Sequence, residues 1–163
     1  MSVSIRALES GDRPWVVELM QKRSGGELVV THGKARDASL LESFVAEVDD
    51  EPVGLATYET RGAESELVTL DSLQEGDGIG SALLAAVANA AWKQGCRKLS
   101  VVTTNDNVRA LGFYQRRGFV LTALRPAAVE KSRRLKPEIP ELGLFDIPIR
   151  DELELVLDLR KNL

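Results

Sequence analysis

Leu70-Asp71-Ser72-Leu73-Gln74-Glu75-Gly76-Asp77-Gly78-Ile79-Gly80-Ser81-Ala82-Leu83-Leu84 carries three glycines at alternate positions, between a strand-like apolar run and a helix-like one. Without a Cβ, glycine lets the backbone turn sharply and bring its N–H groups close to a ligand. The open end of the helix that follows adds partial positive charge, and the ensemble suits a pyrophosphate. A tight strand-to-helix turn that uses glycine for geometry alone accounts for the pattern equally well. Two other phosphate motifs fail on spacing. Gly80-Ser81 lacks the lysine of a Walker loop. Gly76, Gly78 and Gly80 read GxGxG, where a dinucleotide fingerprint reads GxGxxG.

On the N-terminal side of the glycines, Leu67–Leu70 is a short strand feeding the loop. The helix after it carries Ile79, Leu83, Leu84, Val87 and Ala91 on one stripe, with Gly95 placed to stop it. Lys98–Thr104 is β-branched and strand-like. Asn107 caps a second helix that carries Ala110, Leu111, Phe113 and Tyr114 and ends at Gly118, and Phe119–Leu124 follows as a strand. Toward the N-terminus, Val3, Ile5 and Ala7 alternate as a strand, and Asp12 and Pro14 open a helix with Trp15, Val16, Leu19 and Met20 on one face. Gly25-Gly26 ends it, and Glu27–Ser39 has no clean period and reads as irregular. Phe44–Val48 and Val53–Tyr58 flank the turn-rich Asp49-Asp50-Glu51-Pro52 and form a hairpin. Toward the C-terminus, residues 126–150 read as a long loop holding Pro126, Pro137, Pro140 and Pro148. Alternating Leu153, Leu155, Leu157 and Leu159 then mark a strand over 152–159. Strands dominate the first half, strand–helix–strand–helix follows, and two strands close the chain: a mixed α/β layer structure.

The 163 residues make a single domain over 1–163, long enough to bury roughly 70% of the surface exposed on unfolding. At 44% hydrophobic and 28% charged, the chain is neither disordered nor collagen-like. The N-terminus has no apolar segment typical of export and no apolar run is long enough to span a bilayer, so a cytoplasmic location with no membrane partner is expected. Cys96 is the single cysteine and His32 the single histidine: together they provide neither a disulfide nor a structural zinc site. A net charge of −4 argues against nucleic acid as a partner. Its distribution is uneven, with eleven acidic residues and only Arg61 basic between Leu41 and Asp77, and eleven basic residues against Asp106 and Glu130 between Lys93 and Lys136. Such segregation fits a cation on one side and a phosphate-rich ligand on the other, or simply solvated faces.

The run Glu75–Leu84, followed by Asn105–Phe119, resembles the GCN5-related N-acetyltransferase (GNAT) superfamily. The first run matches its pyrophosphate motif. The second matches its Asn-x-x-Ala-x-x-Phe-Tyr-x-x-x-Gly-Phe helix at Asn107, Ala110, Phe113, Tyr114, Gly118 and Phe119. The resemblance covers core motifs over 44–124, and the tail from Leu135 to Glu152 is similar to functionally undefined bacterial members. It implies a mixed, mostly antiparallel sheet of six to seven strands flanked by helices, with a parallel pair at the cofactor site. It also implies acetyl-CoA as acyl donor, with no metal, and a small-molecule or peptide amine as acceptor; a monomer and a homodimer both fit. Acetyl-CoA would lie between the Leu67–Leu70 and Leu99–Thr104 strands. Backbone near Leu70 would hold its pantetheine arm, and the loop Gly76, Asp77, Gly78, Ile79, Gly80 and Ser81 its pyrophosphate. Asn107 and Phe113 would flank the pantetheine, and Tyr114 would protonate the departing thiolate.

Packing explains Phe113-Tyr114, and capping explains Asn107, when each is taken alone. The acceptor amine must lose a proton, and Glu59, Glu64 and Glu66 are the carboxylates at hand, with Glu66 the candidate base and His32 a further possibility. Glu75 stands where the family has Gln or Arg, and Asp77 where a basic residue is common. Each opposes anion binding by up to about 1 kcal/mol near a helix start, and Arg109, Arg116 or Lys93 would compensate. An acyl-CoA-binding sensor without catalysis is the alternative, and it has no need of Tyr114.

Overall fold

A computed structural model describes residues 2–162. In chain order the elements are β1 (Val3–Ala7), α1 (Arg13–Ser24), β2 (Leu28–Thr31), β3 (Lys34–Asp37), β4 (Glu42–Val48), β5 (Glu51–Arg61) and β6 (Glu64–Ser72). There follow α2 (Ile79–Lys93), β7 (Lys98–Thr104), α3 (Val108–Arg116), β8 (Val120–Arg125), α4 (Ala128–Leu135), β9 (Glu152–Asp158) and α5 (Leu159–Asn162). Seven strands form one sheet in the order β1-β4-β5-β6-β7-β9-β8. Its neighbours run antiparallel except β6 and β7, the parallel pair that α2 connects. The mixed α/β class and the single parallel pair are as the motifs implied.

Each face of the sheet is sealed by its own apolar layer. On one face α2 lays Ile79, Leu83, Leu84, Val87, Ala88 and Ala91 against Ala56, Tyr58, Leu67, Leu99, Val101 and Leu155, and Tyr114 and Phe119 complete the layer. The helix comes so near β5 that a Cβ on Gly54 would stand 2.7 Å from the Ile79 side chain. On the other face α1 packs Val16, Leu19 and Met20 over Val45 and Leu55. Tyr58 stacks on Phe44 inside the first layer, and Cys96 is buried.

Four expectations need correction. Residues 27–39 are not irregular: β2 and β3 form a hairpin turned by His32 and Gly33, with φ of 54° and 70°. Two successive left-handed residues make the tight turn that suits strand twist, and Asp49-Asp50 repeats it between β4 and β5, so Glu51 and Pro52 belong to β5. The apolar period is absent from the first hairpin because it stands apart from the main sheet. The loop 126–150 contains α4, whose charged residues mask a short stripe of buried Val129 and Ser132, and the Asp151 carboxylate anchors its start by accepting the Ala127 N–H (2.8 Å). Asp12 precedes α1 without capping it, because its carboxylate is taken by the Arg6 guanidinium at 2.7 and 2.8 Å. Among the described residues no helix is long and apolar enough to cross a membrane.

Two irregularities open the centre of the sheet. The β6–β7 ladder ends at Leu67↔Val101, yet β6 runs on to Ser72 along β5, and β7 runs on to Thr104 along β9. Beyond Leu67 the two strands follow different partners and diverge. In β6 the pairing with β5 jumps from Tyr58↔Leu67 to Thr57↔Thr69, so Val68 is an extra residue, a β-bulge.

Candidate active site

Where β6 and β7 part, facing backbone groups lose their ladder partners and become available to a ligand. Two cavities meet at this opening. One, of about 410 Å³, lies in the notch between the strands; the other, of about 890 Å³, lies over the glycine loop and α3. Leu70, Ala110 and Tyr114 line both.

The glycine-loop cavity is walled by Leu70, Gly76, Gly78, Ile79, Gly80, Ser81 and Phe113, residues the sequence assigns to the cofactor. Gly76 and Gly78 adopt φ of 81° and 73°, which L side chains rarely reach, and a Cβ on either would meet open space. Gly80 sits in α2 with its would-be Cβ 3.3 Å from the Phe113 ring, so a side chain there would crowd the wall. The first intrahelical bond of α2 is donated by Ala82 to Gly78 (2.9 Å), and the N–H groups before it are the free donors of a helix start. Asp77 is exposed and outside the wall, whereas exposed Glu75 is part of it. Arg109 and Arg116 line the cavity, as the compensation argument requires, and Lys93 does not. The sequence reading missed Arg117, which donates to Ser81 Oγ at 2.6 and 2.9 Å and lies 3.6 Å over the Phe113 ring. Gln74, one place before the position where the family has Gln or Arg, also lines the cavity, and its buried Oε1 has no hydrogen-bond partner among the described residues.

Tyr114 sits at the junction, 7% exposed, between the rings of Phe113 and Phe119. Burial, and then the nearby Asp71 charge, hold its phenol well above the usual tyrosine value. Asn107 lines the notch and caps α3, its side-chain oxygen accepting the Ala110 N–H at 3.2 Å. Asp71 shares the notch, and its carboxylate takes no hydrogen bond from a described residue. It lies opposite Leu55, on the α1 face, and burial raises its pKa from the ordinary aspartate value, with Arg23 opposing. Alternation with Leu70 was a signal for Asp71 that the glycine pattern overshadowed. The rest of the notch comes from distant segments: Val29 and Val30 of β2, Val129, Ser132 and Lys136 around α4, and Glu152 of β9.

Glu66 lies elsewhere. It lines a third cavity of about 550 Å³ beneath the β2–β3 hairpin, together with Glu59, Glu64 and His32. There Arg36 clasps it at 2.7 Å, and the His32 Nε2 lies 3.2 Å from Glu154. The structure therefore brings Tyr114, Leu70 and Asn107 together and sets Glu66 apart from them.

A sheet opened at its one parallel pair, beside a glycine-turned helix start, is an acetyltransferase architecture. The chain belongs to the acetyltransferase (GNAT) family, whose model matches residues 8–119. Among curated relatives, the uncharacterized protein YdhI of Bacillus subtilis (strain 168) is 44% identical over 128 residues, 78% of this chain and 79% of that one. An IAA acetyltransferase from Bacillus cereus ATCC 14579 has the same fold, with a TM-score of 0.76, 23% identity, and coverage of 96% of this chain and 99% of the other. A GNAT family acetyltransferase from Elizabethkingia anophelis, solved with acetyl-CoA bound, superposes at a TM-score of 0.70 with 20% identity, covering 96% and 97%.

Proposed function

We propose that this protein is an N-acetyltransferase that moves the acetyl group of acetyl-CoA to a primary amine by direct attack on the thioester. The observation that carries the reading is the placement of the Tyr114 phenol, buried where the glycine-loop cavity and the notch meet. The residues present fit the donor. Free amides over Gly78–Ser81, with Arg109, Arg116 and Arg117, suit its phosphates, and the unpaired β6 edge beyond Leu67 suits its pantetheine amides. A related fold carries acetyl-CoA.

Acetyl-CoA, when bound, supplies an acetyl group activated by a thiolate leaving group. A C–N bond forms as the C–S bond breaks; the acceptor ammonium loses two protons, one of which is released to water, and the sulfur gains the other. Tyr114 holds the second of these. Its raised pKa keeps Oη protonated throughout the physiological range, so it donates once thiolate charge develops. Asp71 serves the first. An alkyl ammonium is neutral in only about one part in 10³ at pH 7, and a carboxylate raised by burial is a better proton acceptor than an exposed one. Glu66, tied to Arg36, is the rival on the same strand. Calorimetry with acetyl-CoA, followed by thiol release across a panel of primary amines, tests the reading. Binding with turnover is expected; binding without turnover on any amine would make the protein a sensor, and no binding would remove the donor altogether.

A further inference from the structure

Lys136 is 8% exposed, and its burial is not matched by a counter-charge. Its ammonium donates to the backbone carbonyls of Ser24 and Leu28, the latter at 2.7 Å, and among the described residues no carboxylate lies within ion-pair distance of it. Glu138, the acid close enough to be felt, is exposed to solvent. Lysine is almost never fully buried without a partner, because stripping water from an ammonium is costly and neutral carbonyls return only part of that cost. An ammonium has three donors, two of which are used. Lys136 also lines the notch cavity.

The cavity's charged lining residues are Asp71, Lys136 and Glu152, the last held by Arg125 at 3.1 Å. Asp71 lies near Tyr114, where the amine must react. Val29, Val30, Val129, Ile139 and Ile149 form its apolar wall, and Lys136 is the cation set into that wall. Resting on the acetyltransferase reading, we infer that the acceptor is a small amino acid-like molecule, a primary amine bearing a carboxylate that Lys136 binds. The ammonium end goes toward Asp71, the carboxylate meets the third N–H of Lys136, and the apolar wall covers the carbon skeleton between them. Burial pulls the Lys136 pKa below the usual lysine value, and a bound carboxylate relieves that strain. The same requirement disfavours plain alkylamines and polyamines, which would bring a second positive charge or none to the lysine.

The test uses the full chain, acetyl-CoA, and matched acceptors: glycine, β-alanine, γ-aminobutyrate and leucine, each against its carboxamide, with propylamine as a further control. For at least one pair, kcat/KM is expected to favour the acid by about tenfold or more, the range of a charge-assisted hydrogen bond. Lys136→Met is expected to bring that ratio near one while the Kd for acetyl-CoA stays within twofold. A wild-type ratio near one with amines still acetylated overturns this inference and leaves the acetyltransferase standing, whereas failure to bind acetyl-CoA overturns both. Where Lys136→Met does not fold, the wild-type ratios decide. If no acceptor in the panel turns over, thermal shift of the CoA-saturated protein decides. A rise in Tm with N-acetylated acids and none with their amides sustains the inference, and no rise with either overturns it.

Discussion

The two sides of the β6–β7 opening are built by different means. The donor side is made from two short, continuous segments, 70–81 and 108–117, whose backbone turns and helix faces form its wall. The side we propose for the acceptor is gathered from β2, β6, β7, α4 and β9, with side chains far apart in the chain meeting in one cavity. Backbone amides grip phosphates in one geometry that every relative can share, so a local motif suffices. Side chains drawn from scattered elements can be exchanged singly, so the acceptor site is free to vary while the sheet stays the same.

Variants that act on one side alone put this contrast to the test. Tyr114, at the junction, gives the largest effect: Tyr114→Phe is expected to lower kcat by about 10²-fold or more, with the Kd for acetyl-CoA nearly unchanged by calorimetry. An equal loss in both would make the residue a packing element serving the donor wall. Asp71→Asn comes next, with about a tenfold to 10²-fold loss in kcat/KM for the amine, and a larger loss in Glu66→Gln would transfer the proton-accepting role to Glu66. The same variant carries a stability signature. Because folding raises the Asp71 pKa, the wild type has its full stability below the ordinary carboxylate range and loses some as pH rises through the folded value. Asp71→Asn should therefore unfold at a higher temperature than wild type at pH 7, with the gain vanishing in acid.

On the donor side, Arg117→Ala removes both bonds to Ser81 and the stacking on Phe113, and should weaken acetyl-CoA about tenfold without moving the acceptor KM. Glu75→Gln is the mildest change. Its carboxylate belongs to the cavity wall, and neutralising it should tighten acetyl-CoA by about fivefold at most at low salt. Asp77→Asn, outside the wall, serves as its control. If Asp77→Asn tightened binding as much, the effect would be one of general field rather than of contact.

Legibility in the sequence divides along the same line. The buried stripe of α2 and the Asn107 cap were legible from local pattern, because each depends on contacts within a few turns, whereas the parallel pair and the place of Tyr114 came from the family resemblance. Arg117 was overlooked although it lies inside the motif run, since a helix-end arginine reads as solvent-facing until Phe113 and Ser81 are seen beneath it. The β2–β3 hairpin and α4 were missed for a different reason. Neither contributes a full apolar stripe to the main layers, and each is held by contacts such as Lys136 to Leu28 and Asp151 to Ala127, which no local pattern announces. These are the elements that wall the notch.

The bulge at Val68 has a larger consequence than its size suggests. In an unbroken strand successive side chains point up and down in strict alternation, so counting from Leu67, which faces α2, Leu70 would turn toward α1 and Asp71 toward α2. The single surplus residue shifts the phase by one step. Leu70 joins the apolar layer beneath α2, and the carboxylate next to it turns to the opposite side, into the notch. One inserted amino acid thus decides which of two neighbours packs against the core and which looks out through the gap.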